Sequence, residues 1–125
     1  MKLNYDAIRY LLIFLEDNQG YNQPIFIEDI PNKSFDVEDI RYSAEKLIEA
    51  EILLGSVSHY VDGDTAILIN SISWEGHQFL AQIKNDNNRE RIKENLKKLG
   101  IQSIKSITQI ATMLTTEYIK NQLKI

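Results

Sequence analysis

Asp62-Gly63-Asp64 divides two apolar, β-branched runs, Ile52–Val61 and Thr65–Ile72. Asp-Gly is a strong hairpin signal, because glycine accepts positive φ at no steric cost and both flanks have strand composition. A helix precedes the hairpin. Across Asp36–Ala50, residues Val37, Ile40, Ala44, Leu47 and Ile48 repeat at the spacing of a helix buried on one side. Asp36 suits its N-cap, with Asp39 three residues on completing a capping box. A second helix follows the hairpin, opened by Ser73-Trp74-Glu75-Gly76-His77 with Ser73 as its cap. Helix, β-hairpin and capped helix in that order predict an α+β winged-helix domain over residues 1–84.

The chain has 125 residues, which suits one domain with an appended element. Hydrophobic residues make up 43 % and charged residues 26 %, an ordinary globular balance that supports a self-sufficient core. There is no cysteine, so disulfide, zinc-thiolate and thiol-nucleophile chemistry is excluded. Met1–Asp6 lacks the basic start and apolar core of a signal peptide, and no run approaches a membrane span. The expected location is the cytoplasm.

The first helix is expected over Leu3–Asn18, where Leu3, Ala7, Ile8, Leu11, Leu12 and Leu15 form a wide stripe. Gly20 stands near the left-handed cap position beyond it. Pro24–Ile27 reads as a short edge strand, and Glu28–Ile30 holds at most one helical turn. The helix that normally precedes a recognition helix is therefore almost missing. Beyond the hairpin, Trp74–Asn85 is helical, with Phe79, Leu80 and Ile83 apolar. Asn85–Asn88 forms a polar break. Two further helices are expected in the extension 85–125. One is the charged Arg89–Leu99, with Ile92, Leu96 and Leu99 apolar, and the other occupies residues 101–123 after Gly100. The last carries Ile104, Ile107, Ala111, Leu114 and Tyr118 on one stripe, with Ile110, Met113 and Ile119 beside it. So broad a stripe must fold back over the first helix or pair with a second copy. We expect a homodimer, with Ser103, Ser106, Thr112 and Thr115 allowing close approach.

Charge divides the chain. Residues 1–83 carry fourteen acids and five bases, whereas residues 84–125 carry nine bases and four acids. The helix that would read a duplex exposes Glu38, Asp39, Arg41, Tyr42, Glu45, Lys46 and Glu49, a net charge of −2, and Asp62 and Asp64 flank Gly63 at the wing tip. Phosphate contacts supply much of protein–DNA affinity and require Lys and Arg. The concentrated bases lie instead on Lys84, Arg89, Arg91, Lys93, Lys97, Lys98 and Lys105.

No residue set points to catalysis, a cofactor or a metal. His59 and His77 have no carboxylate or second histidine at ligand spacing on an assigned helix. Glu28/Asp29 and Glu38/Asp39 fit helix starts, where acids favour the dipole, and no calcium-loop pattern surrounds them. Ser56, Ser58 and Ser71 lie in strands without a nucleophile elbow, and no glycine-rich phosphate loop is present. Trp74 is expected to pack against the first helix. Tyr42, on the polar side of its helix, hints at an interface.

Met1-Lys2-Leu3-Asn4, Leu47-Ile48-Glu49-Ala50, the hairpin and Ile72-Ser73-Trp74-Glu75-Gly76-His77-Gln78-Phe79-Leu80 together resemble an uncharacterised family. It is a domain of unknown function from low-GC Gram-positive bacteria and their prophages. The resemblance covers nearly the whole chain, and Trp74–His77 is its most specific part. Ser73–Leu80 is more loosely similar to the Thr-x-x-Gly-x-x-x-Leu that follows the wing in multiple-antibiotic-resistance-type regulators. The family implies a winged-helix fold and a mobile-element context, and supplies no catalytic residues. One departure stands out. Such sequences usually have Gly after Glu-Ala, where this chain has Glu51.

Two functions fit these features. One is a non-enzymatic accessory protein whose acidic face, Glu38, Arg41, Tyr42, Glu45, Lys46 and Glu49, meets a protein partner. The other is a dimeric DNA-binding transcriptional regulator in which Arg89, Arg91, Lys93, Lys97 and Lys98 contact the duplex backbone.

Overall fold

In the computed structural model, which describes residues 1–32, 34–99 and 103–123, the chain forms five helices and a three-stranded antiparallel sheet. α1 (Tyr5–Asn18) leads through β1 (Ile25–Phe26) and a 3₁₀ turn (Ile27–Asp29) to α2 (Val37–Glu49). β2 (Leu53–His59) and β3 (Thr65–Ile72) form the hairpin, and α3 (Trp74–Ile83), α4 (Asp86–Leu99) and α5 (Ile104–Leu123) complete the chain. The strand order is β1-β3-β2, so β3 is central and the hairpin is the wing. The architecture is a winged-helix-like α+β fold.

α1 starts two residues later than its apolar pattern suggests, because the Asn4 side chain accepts from the Ala7 N–H at 3.2 Å and caps it. It ends through Gln19 in extended conformation, and Gly20 does not take the left-handed cap. Asp36 is the N-cap of α2 by backbone position, but its side chain makes no capping bond. Asp39 instead meets the Asn4 amide at 3.5 Å. Val37 lies 68 % exposed, since the stripe that reaches the core begins at Ile40.

The end of α2 resolves the question posed by Glu51. Its φ is 61°, in the left-handed region. Glu51 N–H donates to the Ile48 carbonyl at 3.0 Å and Ile52 N–H to the Leu47 carbonyl at 2.9 Å. This is a Schellman ending with a glutamate where glycine normally stands, at a conformational cost of roughly 1 kcal/mol. Ile52 and Leu47 are both buried beside it, which is the apolar contact such endings use.

The wing turns through Val61, Asp62 and Gly63. Tyr60 N–H donates to the Asp64 carbonyl at 2.8 Å, Gly63 N–H donates to the Tyr60 carbonyl at 3.0 Å, and Gly63 has φ 93°. The hairpin base is fastened to α3. Ser73 N–H donates to the Ile52 carbonyl at 3.1 Å, and its hydroxyl donates to the Glu51 carbonyl at 2.6 Å while accepting from Gly76 N–H at 2.9 Å. A Cβ at Gly76 would lie 2.2 Å from the Ile52 carbonyl oxygen, so only glycine fits beneath the strand.

The polar break before α4 is shorter than its composition suggests. Only Lys84 and Asn85 separate α3 from α4, because the Asn85 side chain accepts from Asn87 N–H at 2.9 Å and starts the next helix at Asp86. Gly100–Gln102 fall outside the described residues, and α5 is described from Ile104. One continuous core joins Ile8, Leu11, Leu15, Leu47, Ile69, Leu80 and Ile83 to Ile92 of α4 and Ile107 of α5. Ile104, Ile107, Ala111 and Leu114 are buried within the chain, where α5 packs chiefly on α3 and α4. Those four side chains are therefore already occupied, and Tyr118, one turn on, is 54 % exposed.

Candidate interaction face

The exposed side of α2, the 3₁₀ turn before it and the wing tip form one acidic face. Between Glu28 and Asp64 the sequence holds ten acids and three bases. Two of those bases are described, and both are engaged. The Arg41 guanidinium donates to the Glu28 carboxylate at 2.6 Å and also to the Thr65 carbonyl. Arg41 thus ties α2 to the start of β3, and its hydrogen bond holds the Glu28 carboxyl below its ordinary value. Lys46 donates to Glu49 at 2.9 Å and lies 5.5 Å from the centre of the Tyr42 ring. The hydrogen bond to Glu49 raises the Lys46 ammonium above its ordinary value. Tyr42, half-buried, is the platform for that ammonium.

Glu38, Asp36, Asp62 and Asp64 stand exposed around these pairs, and Glu45 is half-exposed. At the tip, Asp64 N–H donates to the Asp62 carboxylate at 3.1 Å, which fixes the turn and leaves both carboxylates outward. Tyr60 and Val61 are exposed beside them. An open groove at the wing root is lined by Glu28, Arg41, Tyr60 and Asp64. Its one guanidinium is the engaged Arg41, so it offers acceptors and an aromatic edge but no free cation.

The basic residues of α4 have a different destination. Arg89 and Lys93 both donate to Asp6 of α1, at 2.8 and 2.7 Å. Burial alone would raise the Asp6 carboxyl, but hydrogen bonds from Lys93 and Arg89 outweigh it and hold the group below its ordinary value. Arg91 lies 3.6 Å from Glu117 of α5, and Lys84 pairs with Glu16. Lys97 and Lys98 are exposed and have no ion pair among the described residues. Of the five bases expected to grip a duplex, three therefore bind the protein's own helices.

His59 Nδ1 lies 3.1 Å from the Thr65 hydroxyl across the hairpin, and His77 is exposed on α3. Among the described residues no three His, Asp or Glu side chains gather into a metal-binding group, and no helix is long and apolar enough to cross a membrane. Trp74 corrects the expectation of burial: it is 76 % exposed. As the first residue of α3 it precedes the turn that packs inward, so Gly76, Phe79 and Leu80 take the core positions instead.

A family model described as a hypothetical protein, DUF2513, matches residues 2–102. The chain belongs to this family. DUF2513 thus spans the winged body and α4. The chain is also similar to an uncharacterized protein of Haemophilus influenzae, with 25 % identity over 118 residues, 94 % of this chain and 98 % of that relative. That organism lies outside the Gram-positive group the resemblance implies. No solved structure matches the chain.

Proposed function

We propose that this DUF2513 protein is a non-enzymatic accessory protein of mobile-element type that acts in the cytoplasm on a protein partner through its acidic α2 and wing face. The observation that carries this reading is the engagement of Arg41 by Glu28 and Thr65, together with that of Lys46 by Glu49. A face whose described cations are already paired, ringed by Glu38, Glu45, Asp62 and Asp64, repels phosphate and attracts a basic protein surface. Complementary charge also speeds the encounter.

The rival is a dimeric DNA-binding regulator. Lys97 and Lys98 favour it, being exposed bases on α4. Its dimer contact would fall to Tyr118, Ile119 and Leu123, the exposed apolar residues at the free end of α5. Mobility shift on random duplex DNA separates the two. Our reading expects negligible binding at micromolar protein in low salt. A strong, salt-sensitive shift, weakened by changing Arg89, Arg91, Lys93, Lys97 and Lys98 to Gln, overturns it.

A further inference from the structure

The two edges of the sheet are finished differently. On the β1 side, β3 is covered by a two-residue strand, by Arg41 on the Thr65 carbonyl, and by the Gln19 amide, which donates to the Ile69 carbonyl at 3.0 Å. On the other side lies β2, the outer strand. The Tyr60–Asp64 hydrogen bond sets its alternation. From that pair, Ser58 and Ser56 turn their backbone groups toward Ala66 and Leu68, whereas Gly55, Val57 and His59 turn theirs outward. The same alternation directs the Thr65 and Ile69 carbonyls away from β2, which is where Arg41 and Gln19 meet them. Among the described residues nothing bonds the outward backbone groups of Gly55, Val57 and His59.

Proteins usually blunt such an edge with lysine, proline or inward charge. β2 reads Leu-Leu-Gly-Ser-Val-Ser-His, with no proline and no Lys, Arg, Asp or Glu. A bulge at Leu54/Gly55 protects one end only. The outer sheet face continues without charge through Phe26, Leu68 and Ser56, which lie in one row across the three strands. Charge appears at the ends. Glu51 precedes the strand, and Asp62 and Asp64 close its far end.

We propose that β2 is a strand-addition site that takes an extended segment of a partner protein, with small or β-branched residues in its middle and Lys or Arg at both ends. This rests on the reading that the chain acts on a protein. The charges select against a second copy of the chain. Antiparallel pairing of β2 with itself about Val57 sets Glu51 of each copy opposite Gly63 of the other, between Asp62 and Asp64, and bringing these acidic ends together is destabilising. The main-chain hydrogen bonds supply affinity, and the acidic ends supply direction and specificity.

The test uses the full chain and two end-blocked heptapeptides, Lys-Thr-Val-Thr-Val-Thr-Lys and Glu-Thr-Val-Thr-Val-Thr-Glu. Amide spectra should show shifts and slowed exchange centred on Gly55, Val57 and His59 with the first peptide. The acidic peptide should bind at least about tenfold more weakly at low salt. Val57→Pro removes an outward N–H without touching a bond to β3, and should abolish binding. If that variant does not fold, N-methylating the five central amides of the basic peptide tests the same bonds and should also abolish binding. Equal affinity for the two peptides, shifts confined to α2, or no shift at millimolar peptide would each overturn the proposal. So would a dimer in sedimentation that Val57→Pro dissolves, because the occupant would then be a second copy. Failure of the peptide with no DNA shift sinks the edge alone, whereas a DNA shift sinks the underlying reading.

Discussion

α2 and α4 are amphipathic helices of 13 and 14 residues, and they use charge in opposite ways. α2 pairs its cations with acids of its own face, Arg41 with Glu28 and Lys46 with Glu49, and leaves Glu38 and Glu45 toward solvent. α4 sends Arg89 and Lys93 to Asp6 on α1 and Arg91 to Glu117 on α5. The acidic helix is a surface, and the basic helix is a fastening. What distinguishes them is where the counter-charges stand, which the sign of a helix does not reveal.

The comparison breaks most visibly at Ile92, the fully buried anchor of α4. Ile92→Ala should cost about 3 kcal/mol in urea unfolding. A loss below about 1 kcal/mol would show that α4 hangs loosely and that its ion pairs are incidental. A smaller effect belongs to Asp6→Asn, which removes the acceptor of two ion pairs from a side chain only 24 % exposed. We expect about 1 kcal/mol at neutral pH. The folded carboxyl titrates below its ordinary value of 3.8, so its stabilisation is present above that pH and fades as pH falls through the lower folded value. The gap between wild type and variant should therefore close on the acid side of 3.8, and a gap that persists there would assign the effect to packing. The smallest change sharpens the comparison at the end of α2. Glu51→Gly relieves a left-handed glutamate and should gain roughly 0.5 kcal/mol, because the relief exceeds the added freedom of the unfolded chain. A loss on that change would mean that the Glu51 carboxylate makes a stabilising contact.

Local chemistry made most of the fold legible. Asp62-Gly63 set the hairpin, Ser73 capped α3, and the stripes of α1 and α2 placed Leu11, Leu15, Ala44 and Leu47 in the core. The errors fall at element ends, where periodicity runs out. Val37 and Trp74 are first helical residues, and the inward packing begins further along each helix. The candidate site was half legible. Its acids are countable in sequence, but the partners of Arg41, Arg89 and Lys93 lie 13, 83 and 87 residues away. No local pattern carries that information. The outward row at Gly55, Val57 and His59 was hidden for the same reason, since an edge exists only once the strand order is known.

Gly76 carries a consequence for which residues of its segment can be exchanged. Its place under the Ile52 carbonyl admits no side chain, and Ser73 locks the same carbonyl from the other side. Within the Ser-Trp-Glu-Gly-His segment the joint between wing and helix therefore depends on these two positions. Trp74 and His77, both exposed, are free of that constraint. Substitution of either side chain leaves the Ser73 hydrogen bonds and the close approach at Gly76 in place, so the surface beside the wing can change chemistry without loosening the joint.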